Sequence, residues 1–213
     1  MILDLHNHSI RSDDGKARVE NYCQWIRKRG LPLDGFVLSE HRQFDAESDY
    51  SALADEFGLV ILKASEVETD YGHVLVFGVN EPLLAAFDFA RIDLPLTLVL
   101  EEAERAGAVA VPCHPGRPNV GLFAHYAARG AVPGVAIVET RNGGSRAGEN
   151  ELSEREAARH GYRAIGGSDA HIVSHIGRCA TRFADPIRSM EDLVAALRGG
   201  RYEPISWPST SPS

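Results

Sequence analysis

Short runs dominated by Val, Ile, Leu and Phe recur along the chain, separated by stretches whose apolar residues fall at helical spacing. The runs read as strands are Ile2–Leu5, Gly35–Ser39, Leu59–Ser65, His73–Val79, Ala108–Pro112, Val135–Thr140 and Arg163–Gly167. Amphipathic stretches at Val19–Lys28, Leu96–Arg105, Glu149–Arg159 and Met190–Leu197 read as helices, the last with Ser189 as its cap. This alternation predicts parallel strands with crossover helices, and seven units suit a closed or nearly closed α/β barrel better than a sandwich. One junction breaks the pattern. Too few residues separate the runs at 59–65 and 73–79 for a helix, and they include Asp70 and Gly72, so a hairpin is expected there. The Ser/Pro-rich end, Ser206–Ser213, reads as a disordered tail, leaving residues 1–205 as one domain.

At 213 residues and 44% hydrophobic, the chain can bury one sizeable core. With 30 acidic against 22 basic residues, the net charge of -8 offers no platform for tight, sequence-blind binding of long nucleic acid. Cys23, Cys113 and Cys179 are scattered without CxxC spacing, which argues against a disulfide framework or zinc knuckle and fits a reducing cytoplasm. The start, MILDLHNHS, soon turns polar, and no apolar run approaches the roughly 18 residues that span a bilayer, so neither a signal peptide nor a membrane segment is expected.

The candidate chemistry lies at the strand ends. His6 and His8 form an H-x-H pair after the first run, where alternation along an extended chain puts both imidazoles on one face. Asp13 and Asp14 in SDDG, Glu40 and His41 in SEH, Glu66 in SEVE, His73, His114 in CHP, and Asp169 with His171 in SDAH recur at similar places. Strand ends of an α/β barrel converge on one rim, so residues far apart in sequence would meet in one cleft. Six of the nine histidines belong to this set; His125, His160 and His175 fall outside it. For any single member, a capping or solvent-facing role is an equally good reading, and the shared location is what favours a site. Imidazole and carboxylate without thiolate suit Zn²⁺, Mn²⁺ or Fe²⁺, and the donors are too many for one ion and right for two or three.

The segments LHNHSIRSDDG, LSEH, ASEVE, GHVLVFG, PCHP, VETRNG and GGSDAH resemble, in order, the successive motifs of the PHP (polymerase and histidinol phosphatase) superfamily. The resemblance runs from residue 5 to residue 171. It implies a distorted seven-stranded TIM-like (β/α) barrel, a di- or trinuclear metal centre and hydrolysis of phosphate esters. Carried over by position, it implies that His6, His8, Glu66 and Asp169 hold one metal. Glu66 would bridge to a second, completed by His73 and His114. Asp14, His41 and His171 would hold a third. Asp14 is preferred to Asp13 because the residue before the glycine is the usual ligand in similar sequences. Glu40 stands where family members often have Asp, which leaves the surroundings of His41 open.

Catalysis is expected to rest on Glu66, Asp169 and His171, with a metal-bridging hydroxide attacking phosphorus in line. A metal-bound water, Asp13 or His175 is the candidate to protonate the leaving group. Arg117 and Arg178, each following a metal-site loop, are the preferred phosphate-binding residues, ahead of Arg141. Asn142 either orients substrate or holds its loop. Cys113 reads as a small buried side chain without a catalytic role. The leading function is a small-molecule phosphomonoesterase akin to histidinol-phosphate phosphatases. The alternatives are a phosphodiesterase acting on nucleotides, cyclic phosphates or short oligonucleotides, and a non-catalytic metal-binding module. An amidohydrolase-type barrel would need a bridging lysine; Lys63 is the nearby one, while Glu66 occupies the expected place.

Overall fold

The computed structural model describes residues 1–207. Strands β1 (Ile2–Asn7), β2 (Gly35–His41), β3 (Val60–Thr69), β4 (Gly72–Phe77), β5 (Val109–Pro112), β6 (Ile137–Asn142) and β7 (Arg163–Gly167) fall on the seven expected runs. Helices α1 (Val19–Arg29), α4 (Leu96–Arg105), α6 (Glu149–His160) and α7 (Met190–Gly199) fall on the four amphipathic stretches, and the Ser189 side chain caps α7 by accepting from Asp192 N. Short helices α2 (Ser51–Phe57), α3 (Glu81–Ala86) and α5 (Leu122–Arg129), and strands β8 (Cys179–Phe183) and β9 (Tyr202–Ser206), were not anticipated. Ser206 therefore belongs to a strand and not to the tail; residues 208–213 lie outside the described part.

The expected α/β class holds, while the seven-stranded barrel is replaced by an open, curled mixed sheet. One mixed sheet runs β5-β4-β3-β2-β1-β8-β9, with β6-β7 as a separate parallel pair. Pairs β1–β2 and β2–β3 are parallel, whereas β4 is antiparallel to both β3 and β5. The reversal comes from the expected hairpin, where Thr69 pairs with Gly72 around a two-residue loop that no helix could span. Gly72 has φ of 103°, and a Cβ there would stand 2.2 Å from Val120 O, so both its dihedral and its surroundings require glycine. The strands curl through 234° without closing a circle. Side chains link the two sheets: Glu139 of β6 accepts from His114 N, and Asp4 of β1 accepts from Ser168 N just after β7.

Alternation along the strands sorts the interior into two layers. Leu3 and Leu5, Val37, Ala64, Leu75 and Phe77, Val109 and Val111, Ile137 and Ile165 form one apolar cluster, closed below by Leu193 and Leu197 of α7. Along β2, β3 and β6 the same period-two spacing puts His41 on the face of Val37, Glu66 on that of Ala64 and Glu139 on that of Ile137. Since β4 runs the other way, His73 at its start reaches the same rim. Lys63, of opposite parity to Glu66, donates outward to Ser48 O and cannot serve as a bridging lysine.

Leu75 is fully buried on the inner face of β4. Leu75→Ala is expected to cost about 2–5 kcal/mol in a urea denaturation experiment; a loss below about 1 kcal/mol would mean that the interior does not pack as described.

Candidate metal centre

Strand ends and the loops after them carry the site. His6 and His8 leave β1 at a register irregularity between Asp4 and Asn7, His41 ends β2, Glu66 lies within β3 and His73 near the start of β4. His114 follows β5, and Asp169 and His171 follow β7. Of the four non-glycine residues with positive φ among those described, Arg42 (54°), His114 (32°) and Asp169 (52°) are at or beside this cluster. Backbone strain of this kind concentrates where a fold over-determines a site.

Nine expected metal-site residues, namely His6, His8, Asp14, His41, Glu66, His73, His114, Asp169 and His171, are brought together. His6 Nε2 lies 3.1 Å from His8 Nε2, 3.0 Å from Glu66 Oε2 and 3.5 Å from Asp169 Oδ1. His8 Nε2 lies 3.2 Å from Glu66 Oε2 and 3.4 Å from Asp169 Oδ1. Tetrahedral donors about 2.1 Å from a zinc-like ion stand about 3.4 Å apart, so these separations fit four atoms sharing one cation. On the other side of the same carboxylate, Glu66 Oε1 faces His73 Nδ1 at 2.8 Å and His114 Nε2 at 3.2 Å. A third group has His41 Nε2 at 3.3 Å from His171 Nε2, with Asp14 Oδ2 at 3.5 and 3.1 Å from them. His171 Nδ1 lies 3.1 Å from Asp169 O, a carbonyl that only accepts, so Nδ1 carries the hydrogen and the Nε2 lone pair faces this group. Lone pairs aimed at one another repel unless a proton or cation lies between them, which suits these donors to divalent ions.

Asp13 instead pairs with Arg42, so Asp14 is the carboxylate of SDDG that faces the histidines. Glu40 is buried and turned away from the cluster. It accepts from Ser9 N and from the Ser12 hydroxyl at 2.6 Å, anchoring the turn that leads to Asp14. Arg117 reaches the site, donating to Asp169 Oδ2 at 2.8 Å and Asn142 Oδ1 at 3.1 Å. The exposed Arg178 points its guanidinium at Gly143 O, and Arg141 is tied outward to Glu154 and Ser206. Asn142 is buried, holding both Arg117 and Glu139. Cys113 lies closer to the chemistry than its sequence reading implied, with its thiol donating to Glu66 Oε1 at 3.3 Å. Burial pushes that thiol well up, which keeps it protonated.

Two participants were missed in the sequence. Glu139 is fully buried, with Oε1 3.0 Å from His6 Nδ1; its parity with Ile137 was the available signal. Asp4, also buried, accepts from Ser168 N at 2.8 Å and Gly177 N at 2.9 Å, pinning both ends of the loop that carries Asp169 and His171. Burial pushes Asp4 up to about 6 in spite of these hydrogen bonds.

Burial opposes every charge in the cluster, and the charges answer one another. Burial would raise Glu66, yet His6 and His41 hold it well below the usual carboxylate range; Asp169 is likewise held down by His6 and His8. Burial would lower His6 and His8, but Glu139, Asp169 and Glu66 raise His6 well above its ordinary value, and Asp169 and Glu66 raise His8 to about 9. Burial prevails at His41, lowered to about 4, and at His114.

Residues 147–202 match the PHP-associated family. No curated protein matches the chain. Among solved structures, a two-domain protein containing a predicted PHP-like metal-dependent phosphoesterase from Bacteroides vulgatus is 21% identical with a TM-score of 0.64, over 97% of this chain and 64% of that one. The lesion-specific endonuclease Q of Pyrococcus furiosus is 15% identical with a TM-score of 0.65, over 95% of this chain and 57% of its own. An amidohydrolase from Chromobacterium violaceum is 20% identical with a TM-score of 0.63, over 92% and 96% of the two chains. The chain thus spans about two thirds or less of the first two. At these identities the likeness establishes the fold. The family match is confined to residues 147–202, and for the chain as a whole the solved structures establish a shared fold.

The electrostatics give a pH signature. His8, at about 9 folded against about 6.5 unfolded, contributes stability that is complete below about pH 6.5 and lost as pH rises through about 9. Glu66 and Asp169, held low, contribute stability that is present above the ordinary carboxylate range and lost as pH falls below it. Metal-free protein should therefore show its highest Tm between about pH 5 and 6.5 and a decline toward pH 9. Saturating Zn²⁺ or Mn²⁺ should raise Tm more at about pH 8.5 than at about pH 5.5, because the ligands must shed protons to bind. A metal-free Tm that is flat from about pH 6.5 to 9 would contradict this.

Proposed function

We propose that this chain hydrolyses phosphate esters, with a small phosphomonoester as substrate, at a centre holding two or three divalent cations. The observation that carries the reading is the pair of Glu66 oxygens, each converging with histidine nitrogens at ligand-like separations on its own side. His6, His8, Glu66 and Asp169 would hold one cation, Glu66 with His73 and His114 a second, and Asp14, His41 and His171 a third. Such cations, when bound, neutralise phosphate oxygens and lower the pKa of a bound water to about 7. Zn²⁺, Mn²⁺ and Fe²⁺ all suit the mixed nitrogen and oxygen donors.

The chain's own groups supply the rest. Glu66, Asp169 and His171 are the catalytic residues of this reading, since they border the place where phosphate would sit. Arg117 lies against Asp169 with its planar fork suited to phosphate oxygens. A cavity of about 570 Å³ adjoins Asp169 and His171 and is lined also by Arg117, Arg146, Glu149 and His175, giving room for a small leaving group. Burial and the neighbouring Arg178 lower His175, which also lines the cavity. Asp13 is tied to Arg42, which leaves His175 as the side chain among the sequence candidates for the general acid that lines the cavity. Arg178 has no geometric support as a phosphate ligand. The size of the cavity and the net charge of -8 favour small molecules over long polynucleotides. Three free buried cysteines suit the reducing cytoplasm we propose as its location, and no helix among the described residues is long and apolar enough to cross a membrane.

A second reading, hydrolysis of a phosphodiester in a nucleotide or short oligonucleotide, is favoured by the fold shared with endonuclease Q. Phosphate release from a panel of sugar, nucleotide and amino-alcohol phosphates, set against turnover of a bis-aryl phosphodiester, separates the two. Faster monoester turnover is expected, and a marked diester preference would overturn the first reading. Glu66→Ala should lose at least one metal equivalent and lower kcat by roughly 100-fold or more with a much smaller change in KM. His125→Ala, whose ring meets Asn119 O outside the cluster, should leave both nearly unchanged. Equal damage from the two would show that the histidines are wrongly divided.

A further inference from the structure

Glu139 belongs to none of the three donor sets, yet it touches two of them. Its side chain is fully buried on the inner face of β6. Oε1 lies 3.0 Å from His6 Nδ1, while Oε2 accepts from His114 N at 2.9 Å and from Asn142 Nδ2 at 2.8 Å. A carboxylate only accepts, so the His6 ring must carry hydrogen on Nδ1. Its Nε2 is then left to face His8, Glu66 and Asp169. The second contact acts on the backbone. His114 has φ of 32°, a conformation that a non-glycine residue keeps only when its surroundings hold it, and the bond from its N–H to Glu139 is such a restraint. The imidazole so placed reaches Glu66 Oε1 at 3.2 Å.

The surroundings are shaped to keep this arrangement. A Cβ on Gly167 would stand 2.4 Å from His6 Cβ and 2.8 Å from Glu139 Oε1, so any larger residue would push the pair apart. Asn142, three residues on, saturates Oε2 through its amide and offers its own oxygen to Arg117 and Gly144 N. His6, Cys113 and Glu139 also form a group compact enough for an ion. That role would require His6 Nδ1 to give up its hydrogen and Glu139 to abandon donors it already holds.

We infer that Glu139 is a positioning residue that couples two metal sites, one oxygen fixing the tautomer of His6 and the other the backbone of His114. The inference rests on the metal-centre reading above, but its test does not depend on activity. Long-range ¹H–¹⁵N spectra of labelled protein, metal-free and zinc-loaded, should show a slowly exchanging, low-field His6 Nδ1 proton in both states. Glu139→Gln presents one oxygen and one amide, so it can satisfy only one of the two partners. The variant should lose that protection and bind zinc 10–100-fold more weakly in competitive chelator titrations at the sites served by His6 and His114, a loss typical of outer-shell partners. The site served by Asp14, His41 and His171 should change little.

Finding His6 unprotonated at Nδ1 in the wild type, or a Glu139→Gln protein with lower Tm but unchanged zinc affinity, would overturn the inference. If Glu139→Gln fails to fold, the wild-type spectrum decides alone. If wild-type protein binds no divalent cation, the proposed function fails, while the metal-free spectrum still tests the contact to Glu139.

Discussion

A single buried carboxylate, that of Glu66, organises the upper half of this molecule. One of its oxygens faces His6, His8 and His41; the other faces His73, His114 and the Cys113 thiol. A charge so removed from water is costly unless partners surround it. The fold supplies them from four segments: β1 and its end, β2, β4 and the residues just after β5. The curled sheet and the reversed β4 bring those segments within reach of one side chain.

The two layers of the interior follow from the same geometry. On β3 and β6 an inward apolar residue, Ala64 or Ile137, is followed at the next inward position by Glu66 or Glu139. Strand alternation thus builds the core and aims the site with one register, and a slip of one residue would invert both. Around the donors lies a further shell: Glu139 behind His6 and His114, Asn142 behind Glu139 and Arg117, Glu40 behind the Ser9–Ser12 turn, and Asp4 behind the loop bearing Asp169. Such partners orient the ligands and set which ring nitrogen is free.

Much of this was legible in the chain. The seven strands showed themselves because each is a compact run of β-branched and aliphatic residues, and the cluster showed itself because its members recur at strand ends. Strands β8 and β9 did not, since CATRF and YEPIS interrupt their apolar residues with an arginine, a glutamate and a proline. The mixed direction of the sheet was only half visible: the hairpin at Asp70 and Gly72 could be read, but the sheet order that sets β8 beside β1 is a tertiary choice with no local signature. Nearness in sequence to a ligand loop does not fix where a long side chain points: the Arg178 backbone N–H bonds Ser168 Oγ while its guanidinium turns toward Gly143. Glu139 carries no sequence signal beyond its parity with Ile137, because the groups it holds, His6 and His114, lie on or just after other strands.

The most direct test of the central claim is anomalous diffraction from crystals of the full chain grown with saturating Mn²⁺, recorded either side of the manganese absorption edge. The account predicts at least two anomalous peaks within the cluster, one on each side of the Glu66 carboxylate and each about 2.0–2.3 Å from nitrogens of the histidines facing that side. A map with no peak within about 4 Å of Glu66, or with manganese bound only elsewhere on the protein, would contradict it.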